Sequence, residues 1–354
     1  MDLDERISLI ARNVEEMVTA EELKALLESN PSPRGYIGFE PSGKVHLGWL
    51  ICAQKIRDLA EAGVQMTVFW ADWHAYINDK LGGDLEDIRT CARYMEDCFE
   101  ALGVPRDKVQ YRYASEVLEG MDYWERVIKV AKVTSLSRAK RAMTIMGRSE
   151  DEAELDSSKM LYPILQATDI FSMDVDIAYA GLDQRRAHML ARDAAEKLGW
   201  KKPIAIHTPL LPGLKGGNRL DPASCKMSKS DPDSGISIHD TEEDIRRKLK
   251  KAFCPTEAEE ADNNPVLLLC RYLVFDRLGH LQVDRPEKFG GSMRIEDMDQ
   301  LLEVYTSGKL HPSDLKAAVA EALIQILAPV RDYFQKKPEN LDRMVEVLRK
   351  LGRC

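Results

Sequence analysis

No two of the seven cysteines stand at CxxC spacing; they are odd in number and scattered over positions 52, 91, 98, 225, 254, 270 and 354. That excludes a readable disulfide framework or zinc ribbon and fits a reducing compartment. No apolar run reaches the roughly 20 residues needed to cross a bilayer as a helix. Basic charge is not in excess either: 50 Lys and Arg against 59 Asp and Glu leave a net charge of -9. Any contact with nucleic acid must therefore come from local patches rather than the overall field. Asp2, Asp4 and Glu5 around Arg6 are unlike the basic and apolar start of a signal or transit peptide, so a cytoplasmic location is expected.

What is present describes a globular chain. Its 354 residues are 44% hydrophobic and 31% charged, enough for two domains with separate cores. One stretch organises the rest: Pro41-Ser42-Gly43-Lys44-Val45-His46-Leu47-Gly48-Trp49. Before it, Gly35-Tyr36-Ile37-Gly38-Phe39 reads as a buried strand. After it, Trp49, Ala53, Ile56 and Leu59 recur at helical spacing, with Gly63 as a C-terminal cap. A strand-to-helix turn of this kind presents unpaired N–H groups and the positive end of a helix dipole to an anion. By itself the stretch is equally an ordinary βα turn with a surface histidine.

Ile7, Ile10, Val14 and Met17 mark a first helix, and Thr19 with Glu22 has capping-box spacing for a second, both expected to cover the sheet edge. Residues 64–70 predict a buried strand ending in Ala71-Asp72-Trp73-His74-Ala75-Tyr76, polar groups where open α/β sheets bind ligands. A helix through Leu85 to Phe99 and a strand over 109–113 follow. This alternation predicts a doubly wound parallel sheet with right-handed crossovers. Residues 120–155 interrupt it as a polar helical insertion carrying Lys132, Arg138, Lys140, Arg141 and Arg148, then an acidic run over 150–156. Its basic cluster is either a solvated face or an RNA or subunit contact.

Pro163 is suited to a first helical position, which would start a helix there. Tyr162, Gln166 and Asp169 then share one stripe and suggest a polar pocket wall among apolar neighbours. Strands at 175–180 and 204–207 complete the sheet, with Gln184 at the carboxyl end of the first of them. A long loop over 211–235 follows and contains Lys226-Met227-Ser228-Lys229-Ser230, whose ammonium groups could neutralise a polyphosphate. From about 236 onward no strand is evident and helices dominate.

The turn at His46 and the KMSKS loop about 180 residues later together resemble the paired signatures of class I aminoacyl-tRNA synthetases. The segments at 36–43, 71–76, 162–169, 181–185 and 285–291 resemble the tyrosyl branch of archaeal and eukaryotic type over nearly the whole chain. The resemblance implies a Rossmann-like catalytic domain over 1–235 and an all-helical anticodon-binding domain over 236–354. It implies activation of L-tyrosine with ATP and transfer to the 3′-terminal adenosine of tRNA(Tyr), with Mg²⁺ brought by ATP, no protein-bound metal, and a homodimer joined through the insertion.

The same resemblance assigns tyrosine binding to Tyr36 and Asp169 at the substrate hydroxyl, to Tyr162, Gln166 and Gln184 at the ammonium, and to His74 in the pocket. ATP falls to Gly38, His46, Gly48, Lys226, Ser228 and Lys229, with His46, Gly48, Lys226 and Lys229 serving catalysis. Arg141, Arg186, Phe289, His311 and Asp314 are implied to contact tRNA. One departure from the family motif is Trp49, where histidine is common. The alternatives are a tryptophan-specific relative, a nucleotidyltransferase of the same superfamily, and an inactive RNA-binding homologue, which would be expected to lose His46, Lys226 or Lys229.

Overall fold

The computed structural model describes residues 1–147, 156–216, 232–256 and 258–353. The KMSKS segment, Arg148 and most of the acidic run lie outside the described residues. The chain divides into two compact units: residues 1–44, 52–210 and 338–354 in one, and Val45–Ile51 with Leu211–Lys337 in the other. The expected boundary at 235/236 thus falls inside the second unit, and the C-terminal helix Glu339–Lys350 belongs to the first.

The first unit contains α1 (Leu3–Ala11), β1 (Glu16–Val18), α2 (Ala20–Ser29), β2 (Arg34–Phe39), α3 (Gly48–Glu61, whose first turn groups with the second unit), β3 (Gln65–Trp70), α4 (Asp72–Ile77), α5 (Leu85–Ala101) and β4 (Val109–Tyr113). It continues with α6 (Ala114–Val117), α7 (Met121–Val133), α8 (Leu136–Ala142), α9 (Ser157–Ser172), β5 (Ile177–Gly181), α10 (Arg185–Leu198) and β6 (Ile204–Thr208). The sheet order is β1-β6-β5-β2-β3-β4. Every pairing is parallel except that of β1 with β6.

Two expectations change here. The first helix stops at Ala11, because Asn13 turns into the left-handed region at φ 54°, which asparagine tolerates better than most residues. Met17 therefore lies in an antiparallel edge strand rather than on a helix. The ninth helix begins at Ser157, where Asp156 accepts from the N–H of Ser158, so Pro163 sits inside it rather than at its start. The 162/166/169 stripe is unaffected, since the helix keeps its period through that point.

On one face of the sheet, α7, α9 and α10 bury Tyr123, Val127, Val130, Leu165, Ile170 and Leu190 with Tyr36 and Phe69. Each large side chain so buried contributes about 1.5–3 kcal/mol. The insertion thus buries one apolar face of α7, through Tyr123, Val127 and Val130, against the sheet. Because β2, β3 and β5 are parallel, the residues following them share one rim, where Glu40, His74 and Gln184 stand.

The second unit holds α11 (Glu242–Lys251), α12 (Pro265–Leu269), a π-turn at Cys270–Val274, α13 (Phe275–Leu278), α14 (Met298–Thr306) and α15 (Pro312–Lys336). It is mostly helical, yet β7 (Leu281–Val283) and β8 (Met293–Ile295) pair antiparallel. That ribbon escaped the sequence reading because three-residue strands carry too little alternation to register.

Candidate active site

Asp169, on the inward face of α9, is 1% exposed and lies at the centre of a buried polar cluster. The Tyr123 hydroxyl donates to its Oδ1 at 2.7 Å. Nε2 of His74 stands 3.1 Å from its Oδ2, at ion-pair distance but off the line of a straight hydrogen bond. Tyr36, also 1% exposed, packs edge-on against Phe69 with centroids 6.2 Å apart. Phe69 and Tyr162 both meet the His74 ring edge-on. Burial and then the Asp169 carboxylate push the Tyr36 phenol upward, while the Gln166 amide pulls slightly the other way. Tyr123 is raised by the same two causes. Burial draws the His74 imidazolium down, but Asp169, Glu40 and Asp72 outweigh it and its net shift is upward. The cluster is thus two protonated phenols and an imidazole arranged about one carboxylate.

At the other end of the stripe, Nε2 of Gln166 donates to Oε1 of Gln184 at 3.2 Å. Gln184 in turn donates to the Ile145 carbonyl at 3.1 Å and to Asp183 at 3.2 Å. Oε1 of Gln166 is buried with no hydrogen-bond partner among the described residues. A buried acceptor in that state costs free energy unless a ligand donates to it. Tyr162 is buried, and its phenol is raised first by burial and then by Glu40. Glu40 accepts two bonds from the Asn78 amide and lies 3.5 Å from Lys80. Asn78 also donates to the Met146 carbonyl.

The structure brings Tyr36, Tyr162, Gln166, Asp169, Gln184 and His74 together in the first unit. Tyr123, Glu40 and Asn78 were missed. Tyr123 was findable as an aromatic with a polar tip on the apolar stripe shared with Val127 and Val130. Glu40 was findable as a carboxylate directly after a buried strand. Gly38 faces this cluster: a Cβ there would lie 3.4 Å from the Tyr36 ring and hydroxyl, so the missing side chain leaves room beside the phenol.

In the second unit, the His46 turn is closely packed. The Gly48 N–H lies 3.2 Å from Nδ1 of His46, and the Trp49 indole N–H 3.3 Å from its Nε2. A neutral imidazole has one bare nitrogen and can accept only one of these bonds; its other nitrogen carries a proton. Trp49 thus abuts His46, the two rings meeting edge-on. A Cβ at position 48 would lie 2.9 Å from Cε1 of the same ring. Lys226, Ser228 and Lys229 lie outside the described residues. Among the described residues, no group of three His, Cys, Asp or Glu side chains is arranged to hold a metal ion.

The family model for class I tRNA synthetases (W and Y) matches residues 28–328. The chain belongs to this family. The synthetase is 52% identical to a tyrosine–tRNA ligase of Aeropyrum pernix over 341 residues, covering 94% of this chain and 93% of that protein. It is 49% identical to the ligase of that name from Sulfolobus acidocaldarius, with both chains covered fully. The solved tyrosyl-tRNA synthetase of Pyrococcus horikoshii, complexed with L-tyrosine, superposes with a TM-score of 0.91 at 45% identity, covering 98% of this chain and 100% of that one. A tryptophanyl-tRNA synthetase of Plasmodium falciparum, at 19% identity and a TM-score of 0.69, shares the fold alone; 96% of this chain and 90% of that one are covered.

Of the residues expected at tRNA, Arg141 and Arg186 are neighbours in the first unit of the synthetase: Arg186 donates to the Arg141 carbonyl and to Thr144, each at 2.8 Å. Phe289, in the second unit, is 59% exposed, with Nζ of Lys288 4.8 Å from its ring centre. It is not a core aromatic. His311 caps α15 by accepting from the Ser313 N–H, and Asp314 lies 3.5 Å from Arg285, which also donates to the Gly291 carbonyl beside Phe289.

Proposed function

We infer that this protein is a tyrosine–tRNA ligase, which activates L-tyrosine with ATP and transfers the tyrosyl group to the 3′-terminal adenosine of tRNA(Tyr). The observation that carries the inference is the buried Asp169 with Tyr36 beside it, a pair matched to a substrate hydroxyl. A site that spends buried polar groups on a hydroxyl rejects the analogue lacking it by roughly 10⁴ to 10⁵. The orphaned Oε1 of Gln166 fits the donor character of an ammonium, with Gln184 and Tyr162 beside it.

The tyrosine carboxylate attacks the α-phosphorus of ATP. A carboxyl O–P bond forms, the bond to the bridging oxygen breaks, and diphosphate leaves. Because the carboxylate is already ionised, the work lies in positioning and charge stabilisation. His46 and Gly48 bind ATP at the start of α3, Gly38 leaves space, and Lys226, Ser228 and Lys229 meet the phosphates, to which Mg²⁺ is bound as part of the substrate. In the second step the adenosine hydroxyl displaces AMP from the adenylate. Arg141 and Arg186 are assigned to the acceptor side, and Phe289, His311 and Asp314 to unpaired bases.

The protein acts in the cytoplasm as a homodimer. Met121, Trp124 and Ile128 form one exposed apolar stripe on α7, with Leu136 exposed beyond it, and such surface is commonly covered by a partner. No helix among the described residues is long and apolar enough to cross a membrane.

The test is ATP–pyrophosphate exchange with each of the twenty amino acids. Exchange with tyrosine is expected, exchange with tryptophan alone overturns the substrate, and exchange with none overturns the enzyme reading.

A further inference from the structure

Lys248 is a buried ammonium that the reaction described above does not use. It is 6% exposed, on the inner side of α11. Its Nζ donates to the Gly235 carbonyl at 3.0 Å and to Oδ2 of Asp240 at 2.6 Å. The same Asp240 oxygen accepts from the Ser237 N–H at 3.0 Å. One ammonium thus ties together the chain on both sides of residues 236–238.

Those three residues form a short ladder with the His46 turn. The Leu47 N–H donates to the Ile236 carbonyl at 2.9 Å, and the Ile238 N–H to the Val45 carbonyl at 3.1 Å. His46 and Ser237 face each other as an antiparallel bridge, and the Ser237 hydroxyl donates to Val45 at 3.3 Å. Val45, Leu47, Ile236 and Ile238 are each at most 1% exposed, so the register of the ladder cannot slip without exposing apolar side chains. The Leu214 N–H donates to the Ser234 carbonyl at 2.8 Å, next to Gly235.

A buried lysine is costly to desolvate and is retained where its bonds are satisfied. The nearby exposed pairs of Asp233 with Arg247 and Lys251 are screened by solvent and hold less firmly. We propose that Lys248, through Asp240 and Gly235, is a positioning residue for adenylation, setting the register in which the His46 backbone is held by the chain that continues from the KMSKS segment. It touches no reacting atom. The proposal rests on the ligase reading.

The test compares full-length wild type with Lys248→Met, Asp240→Asn and Lys248→Arg. Tyrosine-dependent pyrophosphate exchange is measured at varied ATP, tyrosine affinity by equilibrium dialysis, and amide hydrogen exchange on peptides covering 45–50 and 234–240. For Lys248→Met and Asp240→Asn, kcat/KM for ATP is expected to fall at least tenfold with tyrosine affinity within twofold, and the Leu47 and Ile238 amides to exchange faster. Lys248→Arg, which can still donate to both oxygens, is expected to recover to within about threefold. ATP kinetics within twofold of wild type in Lys248→Met overturn the proposal, as does parallel loss of tyrosine affinity or unchanged amide protection. Wild type without exchange for any amino acid overturns the ligase reading instead, and the amide measurement then separates the two failures.

Discussion

The hydroxyl of Tyr123 donates to Oδ1 of Asp169 at 2.7 Å, joining residues 46 apart in sequence. With His74 at Oδ2, both carboxylate oxygens are engaged within the protein. The carboxylate is thereby oriented before any substrate arrives. Removing the phenol leaves a buried charged acceptor short of one bond, a loss of about 1–3 kcal/mol. Tyr123→Phe is accordingly expected to raise the KM for tyrosine roughly tenfold in pyrophosphate exchange, with the KM for ATP little changed.

Asp169 and Tyr36 are assigned to the substrate hydroxyl, so their variants should act on discrimination more than on rate. Tyr36→Phe is expected to lower the tyrosine-over-phenylalanine ratio of kcat/KM by about two orders of magnitude, within the range that hydroxyl recognition supplies. The check is exchange measured with both amino acids. An unchanged ratio removes Tyr36 from specificity.

Gly48→Ala places a methyl group 2.9 Å from Cε1 of His46, closer than real contacts allow. The imidazole must rotate away from the turn. We expect exchange to slow by at least an order of magnitude, with tyrosine affinity by equilibrium dialysis held within twofold.

A buried chain of side chains gives the first unit an acid limit. Nδ1 of His207 lies 2.8 Å from Glu16, and its Nε2 lies 3.0 Å from Nδ1 of His188. If His207 donates to the carboxylate, its Nε2 must accept from His188, so both rings are neutral. Burial, reinforced by His207, lowers His188 to about 3, and burial also lowers His207 despite Glu16. A depressed folded pKa means that the unfolded chain binds the proton first. The stabilisation is whole above the ordinary histidine value near 6.5 and is lost as pH falls toward 3, by up to about 1.4 kcal/mol per pH unit for one proton. Urea midpoints should fall from pH 7 to pH 4.5, and His188→Leu should flatten that slope.

Part of the site was legible because three of its residues lie on one helix. The stripe of Tyr162, Gln166 and Asp169 follows from helical period alone, and it survived a misplaced helix start because Asp156 and Pro163 affect where α9 begins, not which side chains align. The first helix was overextended for the opposite reason: Val14 and Met17 keep its period, but the backbone at Asn13 leaves it. Periodicity cannot register a single left-handed residue.

Chain order, strand-and-helix alternation and the two motifs are one-dimensional properties, and from the sequence by itself they determined the fold class, the family and the pocket stripe. Which groups face Asp169 was decided only by tertiary structure, because Tyr123 reaches it from α7 and His74 from α4, and hydrogen bonds form between atoms rather than between positions in a list. Likewise, only folding joins Val45 and Leu47 to Ile236 and Ile238. Backbone donors and acceptors are the same in every residue, so no sequence pattern marks which of them will pair across such a distance.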